Sequence, residues 1–383
     1  MRILMTVDTV SGVWNYALTL SDALVRHGVE VTLATMGAPL SDDQRAEVSL
    51  LGIDYFESHF KLEWMEDPWE DLRSAGRWLL DLHRLIRPDL IHLNSYIHAS
   101  LPWAAPTLIT AHSCVHSWWR ALKRQAPPPE WDRYHREVQW GLRSADLVVS
   151  PTQAMLDALR ECYGWMPQSM VIPHGRDPQA FAPAAKEPFI LIVGRMDDAA
   201  RNLGAMRQLA PRLAWPVYLV GDTRTVLMNN GMDDPHDTHG MRVLGRLSTA
   251  DMAQWMSRAS IYIHPARYEP FGLSVLEAAM AGCALVLGDI PSLRELWQDK
   301  AIFVHPGDAA GLERAMSELI ADDTRRAALG EEARAHAMRY TAQQMARQYL
   351  DVYHGLIYRH RISFVSGHGC EPPVSRHSAM SRR

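Results

Sequence analysis

Two doubly wound α/β domains facing each other across a cleft are the fold class that this chain predicts. Three observations carry the prediction. Short apolar runs alternate with helical patterns along most of the sequence, the arrangement of a parallel sheet with crossover helices. The alternation halts at a proline-rich junction and then restarts. The chain has 383 residues, a length that suits two domains rather than one.

In the first half the strand-like runs are residues 3–7, 29–35, 90–93, 108–111 and 147–149. They are continuously apolar, as strands covered on both faces should be. A helix is expected over 12–27, with Val13, Tyr16, Ala17, Leu20, Ala23 and Leu24 on one face, and another over 69–86. The junction is Pro173-His174-Gly175-Arg176-Asp177-Pro178, with further proline and lysine up to Pro188, the composition of a linker. The second set of strands is expected at 189–193, 217–221, 243–245, 261–263, 284–287 and 302–304. A helix over 341–358 follows, with Met345, Tyr349, Leu350, Tyr353 and Leu356 spaced for one face. The division is 1–175, 176–340, a helix over 341–362, and a tail over 363–383 whose Ser, Pro, Gly and His content reads as disordered.

Bulk properties exclude several classes. The formal net charge of −5 argues against a nucleic-acid binder, which carries a basic excess. Hydrophobic residues make up 47%, enough for a core in each domain. Cys114, Cys162, Cys283 and Cys370 are scattered, with no Cys-x-x-Cys pair. That suits a reducing cytosol and supplies no zinc or disulfide framework. The chain opens on a buried-strand pattern rather than a charged n-region followed by a cleavage site, and no apolar run reaches the length of a membrane span. The expected location is cytoplasmic, with peripheral membrane contact left open.

The most informative stretch is Tyr268-Glu269-Pro270-Phe271-Gly272-Leu273-Ser274-Val275-Leu276-Glu277. Two glutamates flank seven residues that contain a helix start. Such a start offers unpaired N–H groups and a positive dipole, which suit a phosphate. One carboxylate before it and one inside the helix can grip hydroxyls on either side of a diphosphate, as in a nucleotide sugar. Glu277 sits in an otherwise apolar helix, where an acid is costly unless it faces a polar cleft.

This segment resembles the Glu-x7-Glu motif of retaining glycosyltransferases with the GT-B fold, most closely family 4 (glycosyl transferases group 1). The resemblance covers about residues 1–358. It implies two Rossmann-like domains, an N-terminal acceptor domain and a C-terminal donor domain, with the final helix crossing back onto the first. It implies that Glu277 accepts hydrogen bonds from ribose hydroxyls and Glu269 contacts the transferred sugar. The amides of Phe271, Gly272, Leu273 and Ser274 would then meet sugar and phosphates. Arg195 and Arg201, after the strand at 189–193, stand where the family places Gly-Arg and a lysine that neutralise the leaving diphosphate. Here the second cation is arginine. Gly12, at the end of the first strand, matches one of the family's paired glycines, and Ser11 replaces the other. His112, at the end of the strand at 108–111, takes the position of a histidine close to the donor sugar. His92, His98, His116 and His174 are weaker alternatives, and His174-Gly175 stands for the Asn-Gly of the hinge. The backbone around Gly245, Arg246 and Leu247 is placed against the base.

Trp118, Trp119, Arg120, Lys123, Arg124 and Trp131 form a basic-aromatic stretch. It fits core and rim packing, stacking on acceptor sugars, or contact with a membrane surface. No Asp-x-Asp motif occurs, so the two arginines and the helix start are expected to supply the positive charge. The function that follows is metal-independent hexose transfer from a nucleotide-diphosphate sugar to a hydroxyl, with retention and without a cofactor. The acceptor is a glycan, lipid or small molecule. A GT-B-fold nucleotide-sugar epimerase and a non-catalytic nucleotide-sugar binder are the alternatives. A dehydrogenase lacks its Gly-x-Gly-x-x-Gly fingerprint.

Overall fold

The protein is described from a computed structural model, which covers residues 1–194, 198–221 and 240–367. Seven parallel strands form the first sheet: β1 (Arg2–Asp8), β2 (Glu30–Met36), β3 (Asp54–Glu57), β4 (Leu90–Leu93), β5 (Thr107–Thr110), β6 (Leu147–Ser150) and β7 (Ser169–Val171). Their order is β3-β2-β1-β4-β5-β6-β7. The second sheet holds β8 (Glu187–Val193), β9 (Val217–Val220), β10 (Met241–Gly245), β11 (Ala259–His264), β12 (Ala284–Gly288) and β13 (Ile302–Val304), all parallel. Their order is β10-β9-β8-β11-β12-β13. In both sheets the chain builds outward on one side, then returns to the centre and builds on the other. The crevice of each lies where that order reverses, between β1 and β4 and between β8 and β11.

The crossover helices are α1 (Val13–Val25), α2 (Asp42–Leu51), α3 (Trp69–Ile86), α4 (Val115–Lys123), α5 (Asp132–Ser144) and α6 (Gln153–Tyr163) in the first half. In the second they are α7 (Gly204–Leu209), α8 (Thr249–Arg258), α9 (Leu273–Met280), α10 (Pro291–Trp297), α11 (Ala309–Ala321) and α12 (Asp323–Ala337). The last helix, α13 (Ala342–Gly367), crosses back and packs on α1. Met345, Tyr349, Tyr353 and Leu356 are buried there with Tyr16, Leu20 and Leu24, each worth roughly 1.5–3 kcal/mol of apolar burial. Polar groups in this core are paired. His92 reaches Tyr353 OH at 2.6 Å and Thr110 Oγ1 at 2.7 Å, and Tyr16 donates to Tyr349 OH at 2.7 Å.

Two linkers join the halves and run side by side. Arg176 N–H donates to Tyr340 O at 3.1 Å and Ala342 N–H to Arg176 O at 2.9 Å. A Cβ on Gly175 would lie 2.3 Å from Thr341 O, so the crossing needs a glycine there. Two features depart from expectation. The edge strands β3 and β7 fall in segments with no strand assigned from sequence. The last helix continues to Gly367, into the stretch read as a tail. Residues 368–383 lie outside the described region.

Candidate functional site

The cleft between the two sheets has a volume of about 470 Å³ and is walled by the carboxyl ends of strands from both halves. Glu269 forms part of its floor. One oxygen of this carboxylate meets Arg201 Nη1, and the same oxygen lies 3.2 Å from His264 Nε2. The other accepts the N–H of Phe271 at 3.4 Å. His264 ends β11 and is buried, so the strand delivers it beneath the carboxylate. Burial alone would raise the Glu269 pKa, but Arg201, His264 and the Phe271 amide more than offset it. The carboxyl is held well below its ordinary value and is ionised throughout the physiological range.

Helix α9 starts beside it. Its N-cap, Gly272, has φ +87°, and a Cβ there would meet Val275 Cγ2 at 3.1 Å. The left-handed turn aims the helix start at the cleft. Val275 and Leu276 donate to Gly272 O, so the N–H groups ahead of them have no place in the helical ladder. Ser274 Oγ accepts from Tyr262 OH at 2.8 Å. A turn further in, Glu277 is 7% exposed. Arg176 Nε, from the linker, lies 2.7 Å from Glu277 Oε1. The oxygen sits off the N–H direction, so the contact is an ion pair rather than a directed hydrogen bond. Burial raises the Glu277 carboxyl and Arg176 only partly opposes it. The Arg176 guanidinium also donates to Thr19 Oγ1 at 2.7 Å, linking Glu277 to α1.

The N-terminal wall is built around His112. Asn94 gives Nδ2–H to Thr6 O at 2.7 Å, so its Oδ1 faces His112 Nε2 at 2.8 Å. That fixes the proton on His112 Nε2. Nδ1 is then the acceptor, and His174 Nε2–H donates to it at 3.2 Å. His174 Nδ1 is left buried without a partner. Burial lowers the His112 pKa to about 3, and burial with His112 nearby lowers that of His174. Both rings are neutral near pH 7. They pack against Tyr16, and His174 lies 4.9 Å from the Phe271 ring across the cleft. The loop before α1 is shaped by Asp8, whose Oδ1 accepts the N–H of Val10 at 2.6 Å and Ser11 at 3.2 Å. Gly12 follows with φ −63°, and nothing lies within 4 Å of a Cβ built on it.

Gly12, His112, Arg201, Leu247, Glu269, Phe271, Gly272, Leu273, Ser274 and Glu277 therefore converge on one cleft. Arg195 lies outside the described residues. Arg246 is exposed and is not part of the cleft wall, whereas its neighbour Leu247 is. Of the basic-aromatic stretch, Trp118 reaches the cleft and Trp131 packs on the N-terminal core that holds Tyr134 and Val138. His92 is a paired core residue, His98 bonds Leu72 O at 3.1 Å, and His116 packs among Tyr134, His135 and Tyr163. His264 and Arg176 were not legible as site residues, and His174, the weaker alternative to His112, lines the cleft beside it. For His264 the strand-end rule was a usable signal.

The halves close on each other around the cleft. Tyr268 OH lies 2.7 Å from Ser117 Oγ, and Thr152 Oγ1 donates to Pro270 O at 3.0 Å. Glu295, from α10, accepts the first two N–H groups of α6, Gln153 at 2.7 Å and Ala154 at 2.8 Å.

Residues 10–180 match the family model described as Glycosyltransferase Family 4, and residues 175–336 that of Glycosyl transferases group 1. The chain belongs to the group 1 glycosyltransferases. This glycosyltransferase is 28% identical over 288 residues to the glycogen synthase of Mycobacterium tuberculosis, spanning 69% of this chain and 67% of that one. Its fold is that of sucrose-phosphate synthase from Thermosynechococcus elongatus, with a TM-score of 0.77 at 20% identity, over 96% of this chain and 100% of that one. It is also that of the Anabaena protein HepE solved with UDP-glucose, with a TM-score of 0.71 at 17% identity, over 93% and 100% of the two chains. The chain is thus a nucleotide-sugar glycosyltransferase of group 1, and the cleft lies between its two Rossmann-like units. Among the described residues no helix is long and apolar enough to cross a membrane.

Proposed function

We propose that this glycosyltransferase moves a hexose from a nucleotide-diphosphate sugar to an acceptor hydroxyl, with retention at the anomeric carbon and without a metal ion. The observation that carries the reading is the sequence of groups along one wall. An ionised Glu269, an open helix start at Gly272–Ser274 and a buried Glu277 follow one another along the cleft, an order that suits sugar, diphosphate and ribose. UDP-glucose in the related HepE fold supports a nucleotide sugar as donor.

In this reading the N–H groups of Gly272, Leu273 and Ser274 take the diphosphate oxygens with Arg201, and Arg195 belongs to the same set. Positive dipole and cations there offset the charge that grows on the leaving group. Glu277 accepts the ribose hydroxyls, for which Arg176 must yield part of its ion pair. Glu269 accepts from sugar hydroxyls with the lone pairs that Arg201, His264 and Phe271 leave free. His112, neutral and with both ring nitrogens engaged by Asn94 and His174, presents an uncharged wall to the sugar rather than a cation.

Neither Glu269, tied to Arg201, nor Glu277, tied to Arg176, is free to attack the anomeric carbon. The acceptor oxygen bonds to that carbon from the face the diphosphate leaves, and its proton passes to the departing phosphate oxygen. Configuration is then retained. The closed seam excludes water and aligns the two substrates. The test is proton NMR of the product formed in EDTA. An anomeric coupling matching the donor sugar supports the proposal. Inversion, or turnover that requires added divalent metal, refutes it. Epimerisation of the donor without an acceptor would favour the isomerase reading.

A further inference from the structure

The loop that carries Glu269 is held by the two halves in alternation. Arg267 N–H donates to Ala200 O at 2.8 Å, within the C-terminal half. Tyr268 OH reaches Ser117 Oγ at 2.7 Å and lies 3.7 Å from Met155 Sδ, both in the N-terminal half. Glu269 O accepts from Ser292 Oγ, back in the C-terminal half. Pro270 O accepts from Thr152 Oγ1 at 3.0 Å, again in the N-terminal half. Both N-terminal anchors are fixed at helix starts. Ser117 lies in the first turn of α4, and its Oγ donates to Cys114 O at 3.0 Å. With that proton engaged, Tyr268 supplies the proton of the bond between the two hydroxyls. Thr152 is the N-cap of α6, and its Oγ1 accepts the N–H of Met155 at 3.1 Å.

Packing does little to place this loop. Tyr268, Glu269 and Pro270 line the cleft on one side and a second cavity, of about 400 Å³, on the other. Space on both faces leaves the four hydrogen bonds to set the backbone. The Glu269 carboxylate is tied to the C-terminal half by Arg201 and His264, whereas the residues on either side of it are tied to the N-terminal half. We propose that Tyr268 is a positioning residue, whose bond to Ser117 sets Glu269 against the transferred sugar when the two halves are closed on each other. The proposal rests on the reading of Glu269 as the acceptor of sugar hydroxyls.

When the halves part, Tyr268 and Pro270 lose their partners together, and the loop relaxes toward the cavity behind it. Recognition of the sugar is thereby coupled to closure. Recognition of the nucleotide is not coupled in this way. Val275, Leu276 and Ala278 bury α9 in the C-terminal core, so the helix start and Glu277 keep their places without Tyr268.

The experiment separates the sugar from its nucleotide, in the full chain. Tyr268→Phe keeps the ring and removes the hydroxyl, and Ser117→Ala removes the partner from the other half. Calorimetric titration with UDP and with UDP-glucose gives the ratio of the two affinities; the GDP or ADP pair replaces them if the wild-type chain binds that pair instead. Each variant should keep its affinity for the nucleoside diphosphate and lose about fivefold in the ratio, the loss of one hydrogen bond. The double variant should lose no more than either single one, since both remove the same bond. An unchanged ratio, or equal weakening of both ligands, overturns the proposal. Hydrogen exchange of the ligand-free chain reads the same coupling without any donor. Amides at 268, 269 and 271 should exchange faster in both variants, with those at 275–280 unchanged. Unchanged exchange at 268–271 overturns the proposal. A wild-type chain that binds none of the three pairs sinks the donor reading instead, and exchange then decides whether the seam holds the loop.

Discussion

Replacing Glu269 with glutamine keeps the shape of the side chain and removes its charge. Arg201 would then lack its main counter-ion, with Asp198 at 3.7 Å as the remaining acid. Breaking a fully buried pair from one side costs roughly 3–5 kcal/mol. Here the Arg201 side chain is 30% exposed, and the glutamine oxygen still accepts from it, so the cost falls to about 2 kcal/mol. A unit of this size loses roughly 2–4 °C in Tm per kcal/mol. Glu269→Gln should therefore lower the unfolding midpoint of the C-terminal half by about 4–8 °C at pH 7. The pH dependence follows from linkage. Glu269 titrates below its ordinary value of 4.5 in the folded state, so the native chain binds its proton less tightly than the unfolded one. The stabilisation is present above 4.5 and is lost as pH falls below it toward the lowered native value. Calorimetry of both proteins from pH 7 downward should show the gap closing in acid. A gap near zero at pH 7, or one that does not change with pH, would refute the reasoning.

Three further predictions concern the cleft and its frame. Gly12→Ala should leave Tm unchanged, because the backbone is ordinary and no atom lies within 4 Å of the added carbon. Steady-state kinetics should nonetheless show KM rising about tenfold, ~1.4 kcal/mol, since the methyl enters space kept for substrate; a drop in Tm would mean the glycine is structural. Glu295→Ala removes the acceptor for the first N–H groups of α6 and costs about 1 kcal/mol. Small-angle scattering should then show a more open ligand-free particle, and an unchanged radius of gyration would count against closure by this contact. Glu63 is buried, and burial, only partly opposed by the N–H groups of Ile97 and Tyr96, raises its carboxyl to about 7. A raised carboxyl stabilises the fold below its ordinary value of 4.5 and loses that contribution as pH climbs through about 7. Glu63→Gln, which mimics the protonated acid, should thus be more stable than the native chain at pH 8 by about 1–3 kcal/mol. It should match the native chain at pH 4 in denaturant titrations.

The central strands were legible because they are short apolar runs buried on both faces, such as Phe189 to Ile192, all nearly inaccessible. The edge strands of the first sheet, β3 and β7, were not. Asp54 and Glu57 are exposed with Tyr55 and Phe56 half-buried between them, and Ser169–Val171 is similarly uncovered. These two edges lack a continuous apolar run, so their sequence carries little signal. The spacing of Glu269 and Glu277 marked the floor of the cleft, because a buried acid in an apolar helix demands a reason. The partners of those acids were hidden. His264 read as the last residue of a strand, and Arg176 as part of a linker. Their roles come from the way β11 and the crossing linkers bring distant residues together, which local pattern does not encode. His174 read as a hinge residue and a weaker alternative to His112, and the Asn94–His112–His174 chain of hydrogen bonds places it in the wall beside His112.

The central claim is that the cleft binds a nucleotide sugar through Glu277 and the start of α9. Its most direct test is thermal unfolding against UDP, GDP and ADP sugars in EDTA. Binding to the folded state raises the midpoint by about 2.7 kcal/mol of added stability at a hundredfold excess over Kd. The account predicts such a rise with one nucleotide family and its loss in Glu277→Ala. A midpoint that moves with none of the three families, or that rises equally in Glu277→Ala, would contradict it.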